Sequence, residues 1–183
     1  MDSLSGTLLV ASAALSDPNF TRTVILVLEH GTNGALGLVL NRPGPRHLEA
    51  IWEDDAHGPC PVDLPVMTGG PLVGPLMVLH ANPTLAEREI VPGVFFAMGK
   101  GPLAALVADG SEPVRVFAGY AGWGGGQLEE ELEEGAWVVA TATSQFVFGD
   151  GDTLWTKASR HVADERLVTA LRVRHVPEKP WYN

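Results

Sequence analysis

One cysteine, Cys60, stands in 183 residues, and that scarcity alone excludes an intramolecular disulfide and a thiolate-rich metal cluster. It fits a reducing compartment. Basic residues are scarce as well. Twelve lysines and arginines against 22 acids give a formal net charge of -10, the wrong sign for wrapping nucleic acid through bulk electrostatics. Cations outnumber acids only from Lys157 onward, where Lys157, Arg160, Arg166, Arg172, Arg174 and Lys179 face Asp164, Glu165 and Glu178. No apolar run approaches the ~20 residues of a membrane span, and Met1-Asp2-Ser3 lacks the basic start of a secretion signal. These absences lead us to expect a soluble, cytoplasmic protein with no membrane partner and no direct binding to nucleic acid.

Signatures of metal and nucleophile chemistry are thin too. His57-Gly58-Pro59-Cys60 is the one His/Cys pair at ligand spacing, and it lacks the second pair that a tetrahedral site needs. No His-Glu-x-x-His and no Gly-x-Ser-x-Gly occurs, so the expectation is no metal and no cofactor. The glycine-rich stretch 119–126 does not end in Gly-Lys-Ser/Thr and is no P-loop. Free amides at the helix start that follows it suit an anion, but Glu129, Glu130 and Glu131 already complement that dipole.

What the chain does have is glycine and proline, 21 and 14 residues, which call for many turns and short elements. A hydrophobic share of 45% marks a globular chain, and its length suits one core, which usually spans about 100–200 residues. Strands are expected at 5–12, 22–30, 35–41, 66–68, 76–80, 94–98, 114–120, 137–141 and 145–148. Helices are expected near 47–53, at 102–108 ended by Gly110, at 127–134 stopped by Gly135, and at 163–171. Residues 22–30 and 35–41 should pair as an antiparallel hairpin across the turn at Gly31 to Gly34. No linker or internal repeat divides the chain, so residues 1–183 read as a single α+β domain, mostly antiparallel, with a few short helices.

Polar residues gather where these runs begin or stop: Asn19, Arg22, Glu29, His30, Asn41 and Arg42. The hairpin places Asn41 beside Arg22. Such a group either ties loops together or lines a ligand cleft, since buried polar groups must be bonded. The densest signal runs from Phe117 to Leu132, where aromatics alternate with glycines before a helix. There we expect a rigid corner around Tyr120 and Trp123, with Gln127 opening the helix.

Residues 119–131 resemble the signature of the YqgE/AlgH family of uncharacterised bacterial proteins, Gly-Tyr-Ala-Gly-Trp-Gly-x-Gly-Gln-Leu-Glu-x-Glu, with Gly125 where the family often has Pro. Residues 6–11, the block Asp17-Pro18-Asn19-Phe20-x-Arg22-Thr23-Val24, Glu29-His30, residues 34–43, Gly69-Gly70-Pro71 and Leu79-His80 resemble it too. The resemblance implies a single α+β domain of coiled and branching β-sheets with helices packed against them. It brings no catalytic residues with it. Three function classes follow. One is a non-enzymatic protein that binds a small ligand or protein partner through Arg22, His30, Asn41, Arg42, Trp123 and Gln127. A second is a transcriptional regulator acting through a partner or the basic tail, as the family's alginate-regulator label suggests. The third is an enzyme built on a His/Glu pair, such as His30 or His80 with Glu29.

Overall fold

In the computed structural model, which describes residues 3–52, 60 and 62–170, the first apolar run forms β1 (Thr7–Ala11). The β-branched run forms β2 (Val24–Gly31), which turns back into β3 (Gly34–Val39). The pair is antiparallel, with Ile25 opposite Val39 and Gly31 opposite Gly34, and one irregularity between Val27 and Glu29. Strand side chains alternate between faces. Leu8, Val10, Val24, Leu26 and Leu28 therefore enter one core, while Leu9, Ala11, Ile25 and Val27 enter another. That is why these runs are apolar throughout: both faces of the sheet are covered.

The remaining strands are β4 (Pro43–His47), β5 (Pro65–Thr68), β6 (Met77–His80), β7 (Arg88–Val91), β8 (Val94–Met98), β9 (Val114–Ala118), β10 (Ala121–Gly124) and β11 (Trp137–Thr141). They assemble into two sheets, ordered β10-β3-β2-β1-β11 and β4-β5-β9-β6-β8-β7. Only β5 and β9 run parallel among the pairs within them. The central core lies between the sheets, with Met67, Met77, Leu79, Phe96 and Phe117 from the second sheet meeting β1 and β2 from the first. The outer face of the second sheet is covered by α1 (Leu48–Trp52) and α2 (Lys100–Asp109) through Leu48, Leu103 and Leu106. The first sheet is covered by α3 (Gln127–Glu133) through Leu128. The long α5 (Gly151–Ala170) packs Leu154, Ala158 and Val162 into the central core. The result is an α+β domain. Among the described residues no helix is long and apolar enough to cross a membrane.

Four sequence expectations need correction. Residues 145–148 are not a strand but lie in and beside α4 (Ser144–Val147), where the Thr143 side chain accepts from the Phe146 N–H and caps the helix, overriding the β-favouring side chains. The last helix begins at Gly151 instead of 163, because its first turns carry core residue Leu154; Leu171 lies outside the described residues. The proline-rich stretch after residue 42 holds an edge strand, β4, before its helix, and Glu53 lies outside the described residues. Residues 121–124, read as a corner, are themselves a strand, β10, laid against β3.

The chain passes between the sheets at Gly119-Tyr120, where β9 of one sheet leads into β10 of the other. Tyr120 and Leu72 exchange backbone hydrogen bonds of 3.0 Å across this crossing. The approach is so close that a Cβ at Gly70 would lie 2.1 Å from the Tyr120 carbonyl carbon, and one at Gly119 would lie 2.8 Å from two carbonyl oxygens. Both glycines also have positive φ, 156° and 78°. The Gly69-Gly70 pair and Gly119 are required by this contact.

Candidate functional site

Under α3, on one face of the first sheet, side chains from both ends of the β2–β3 hairpin close on one another. Trp123 of β10 and Trp137 of β11 belong to opposite edges of one sheet, yet their rings meet edge to face with centroids 6.1 Å apart. The sheet has coiled far enough to bring its edges together. Phe20 stacks on Trp123 at 6.3 Å and sits edge-on to Trp137 at 5.6 Å. From α3, Glu131 offers one carboxylate oxygen to both indoles: Trp123 Nε1 donates to Oε2 at 2.9 Å and Trp137 Nε1 at 2.7 Å. Its other oxygen accepts from Gln127 Nε2 at 2.9 Å, and Gln127 Oε1 accepts from the Gly124 N–H at 3.1 Å. A single carboxylate satisfies two buried donors and locks the helix over the sheet.

His30 sits at the turn end, beside Trp123 and α3. Its Nδ1 accepts from the Leu4 N–H at 3.1 Å, so the neutral ring carries its proton on Nε2 and donates it to Glu129 Oε1 at 3.0 Å. The expected pairing of His30 with Glu29 does not form, because Glu29 points outward to Arg88 Nη1 at 3.2 Å. His80 does not meet Glu29 either. It is wholly buried in β6 beside Phe95, and neither ring nitrogen makes a hydrogen bond of normal geometry. Burial pushes its pKa down, opposed by the nearby Asn82 backbone.

The opposite end of the hairpin is built by three arginines and an asparagine. Asn41 is a bracket: Oδ1 accepts from the Val24 N–H and Nδ2 donates to the Arg22 carbonyl, both at 2.9 Å. That bond holds Arg22 in the left-handed region at φ 55°, and its guanidinium lies 5.0 Å over the Trp155 ring. Arg115, half-buried, donates to the Leu40 carbonyl at 2.9 Å and to the Gly149 carbonyl. Burial pushes its pKa down, while the charge of Asp150 opposes the shift. Arg42 donates from Nη2 to the Thr21 carbonyl and has no carboxylate at ion-pair distance among the described residues.

Arg42 also lines an open groove of about 220 Å³ with Pro18, Asn19, Thr68, Gly70 and Pro71. Its walls are fixed by the Thr68 N–H donating to the Arg42 carbonyl and the Val39 N–H to the Gly69 carbonyl, both at 2.8 Å. The six expected site residues thus form two groups at the two ends of one hairpin: His30, Trp123 and Gln127, and Arg22, Asn41 and Arg42. Sequence reasoning missed Glu131, Thr68, Arg115 and Trp155 as members. For Glu131 a signal existed, since Gln127 and Glu131 are four apart and share a helix face. For the others no local pattern points to the site.

Three separate stretches, Asp17-Pro18-Asn19, Asn41-Arg42-Pro43 and Gly69-Gly70-Pro71, each supply lining residues to the groove. A family model described as AlgH-like, DUF179, matches residues 8–166. The chain belongs to the AlgH-like family. AlgH-like relatives include the UPF0301 protein of Chlorobaculum tepidum, 40% identical over 97% of this chain and 95% of its own length. Another, from Streptomyces coelicolor, is 46% identical over 76% of each chain. The solution structure of the AlgH protein from Pseudomonas aeruginosa superposes with a TM-score of 0.71 at 29% identity, covering 97% of this chain and 96% of that one.

Among the described residues no three His, Cys, Asp or Glu side chains gather as a metal-holding group. What the site offers is hydrogen-bond donors: a held guanidinium, a hydroxyl and an amide around a small open groove.

Proposed function

We propose that this AlgH-like protein is a non-enzymatic binding protein whose ligand or partner enters the Arg42 groove, with Asn41, bonded to the Val24 and Arg22 backbone, steadying the chain beside it. In this reading His30, Trp123 and Gln127 serve as the joint that holds the scaffold. The observation that carries it is the convergence of three sequence-distant stretches on one open groove containing an arginine with no acid partner. Binding sites on rigid walls with a few placed polar groups are the common pattern for small ligands. The test is an NMR screen of a fragment library against the full chain. Saturable shifts of the Asn19, Thr68 and Gly70 amides support the reading, and shifts gathered instead around His30 and Glu129 overturn it.

A regulatory role through a protein partner in the cytoplasm is the second reading, favoured by the loop beside the groove, where Leu72 is 44% and Val73 96% exposed. Duplex DNA should not bind the full chain at physiological salt. A tight complex with a steep salt slope would replace the partner with direct DNA contact.

A further inference from the structure

We infer that the groove selects a small oxyanion, a carboxylate or a phosphate group, held by Arg42; this inference rests on the binding reading above and names its ligand class. The molecule carries a net charge of -10, yet the single charged side chain lining the groove is the Arg42 guanidinium. One of its amino groups is tied to the Thr21 carbonyl, and this anchoring holds the fork in place before any ligand arrives. Among the described residues the rest of the fork has no protein partner, so its remaining donors are free to bond oxygen acceptors in the groove. The Asn19 amide and the Thr68 hydroxyl share the lining and make no hydrogen bond with protein among the described residues. Together they set one fixed cation and two neutral groups able to donate hydrogen bonds around one groove, a composition suited to an anionic oxygen ligand.

No acid lines the groove itself. Asp17, at the turn before it, accepts from the Asn19 N–H at 2.7 Å. Asp150 and Asp152 line the adjoining groove instead, where Thr153 Oγ1 donates to Asp150 at 2.9 Å and the Asp152 N–H at 3.2 Å. Arg22, whose carbonyl Asn41 holds, is parked over Trp155 outside the groove lining, which leaves Arg42 as the cation of the groove. The groove volume, about 220 Å³, is below the roughly 300–1,000 Å³ of drug-sized sites. The site therefore fits one anionic group, either a whole small molecule or the charged end of a larger one.

The test titrates inorganic phosphate, acetate, acetamide and methylammonium into the ¹⁵N-labelled full chain at constant ionic strength, with Arg42→Gln, Arg42→Lys and Thr68→Val alongside. Phosphate or acetate should give saturable shifts at Asn19, Thr68 and Gly70, and which of the two saturates first identifies tetrahedral or planar preference. Arg42→Gln should abolish the response, Arg42→Lys should weaken it at least several-fold, and Thr68→Val should weaken it while leaving the guanidinium in place. Should Arg42→Gln fail to fold, the lysine and valine variants decide: unchanged affinity in both overturns the inference. Acetamide or methylammonium moving the groove amides as strongly as acetate overturns the anion class but keeps the groove. No response to any probe removes both.

Discussion

The two ends of the β2–β3 hairpin use similar residues to opposite ends. Around α3 the polar atoms that sequence reasoning singled out are spent on other parts of the fold: the Trp123 indole on Glu131, Gln127 on Gly124 and Glu131, His30 on Leu4 and Glu129. Around Arg42 the backbone is fixed just as firmly by Asn41 and the glycine crossing, but side-chain donors face solvent. An aromatic, glycine-rich motif is thus no better guide to a binding site than a plain Asn-Arg-Pro. What separates them is whether the donors have partners.

The sharpest way to break this comparison is Trp123→Ala. The indole is 6% exposed and bonded, so its removal should cost about 3–5 kcal/mol, as large aromatic deletions from cores do. Urea denaturation showing parental stability would make the α3 end an exposed recognition surface instead of a joint. Next in size is Glu131→Ala, which strands two indole donors and should cost at least about 2 kcal/mol, since each unsatisfied buried donor costs about 1–3. If its melting matches that of a neighbouring exposed substitution such as Glu133→Ala, the shared carboxylate does not hold the sheet edges together.

Of that joint, the sequence shows the elements and hides the connections. The hairpin was legible because a β-branched run and a second apolar run flank a glycine turn, and α2 because Gly110, in the left-handed region at φ 68°, stops it. The strand β10 was not, since Ala-Gly-Trp-Gly lacks the β-branched side chains that mark strands; its small residues serve the close crossing at Tyr120. His30 and Glu129 are 99 residues apart, and no local spacing announces that bond. Gln145 to Phe148 looked like a strand because aromatic and β-branched side chains mark both a strand and a buried helical turn. Thr143 as a cap was the decisive and overlooked residue.

A third, smaller effect concerns His80, buried in β6 away from both joint and groove lining. Its folded pKa lies below the free value of 6.5, so as pH falls the unfolded chain takes up this proton first. The stability it contributes is present above about pH 6.5 and is lost as pH drops below that value. His80→Leu should flatten the decline of unfolding free energy between about pH 7 and pH 5. An unchanged slope would mean that burial does not hold the ring neutral. Smallest of all should be Arg42→Gln and Cys60→Ser, each within about 1 kcal/mol of the parent. The first gives up one hydrogen bond to a carbonyl, and the second replaces a thiol donor to the Val62 carbonyl with a hydroxyl. A large loss in Arg42→Gln would place that arginine with the joint instead of the groove.

The prolines of β4 carry one more consequence. This strand forms an outer edge of the six-stranded sheet, and an open edge is a template on which another chain can add itself. Pro43 and Pro45 remove two of its five backbone donors, and Arg46 adds an exposed charge. At the far edge, β7 opens with exposed Arg88 and Glu89 and is followed at once by Pro92. The prolines that break the local pattern of β4 also blunt this edge against pairing with another copy of the chain, so replacing Pro43 and Pro45 together should show first as aggregation at high concentration, with little change in the fold of the single molecule.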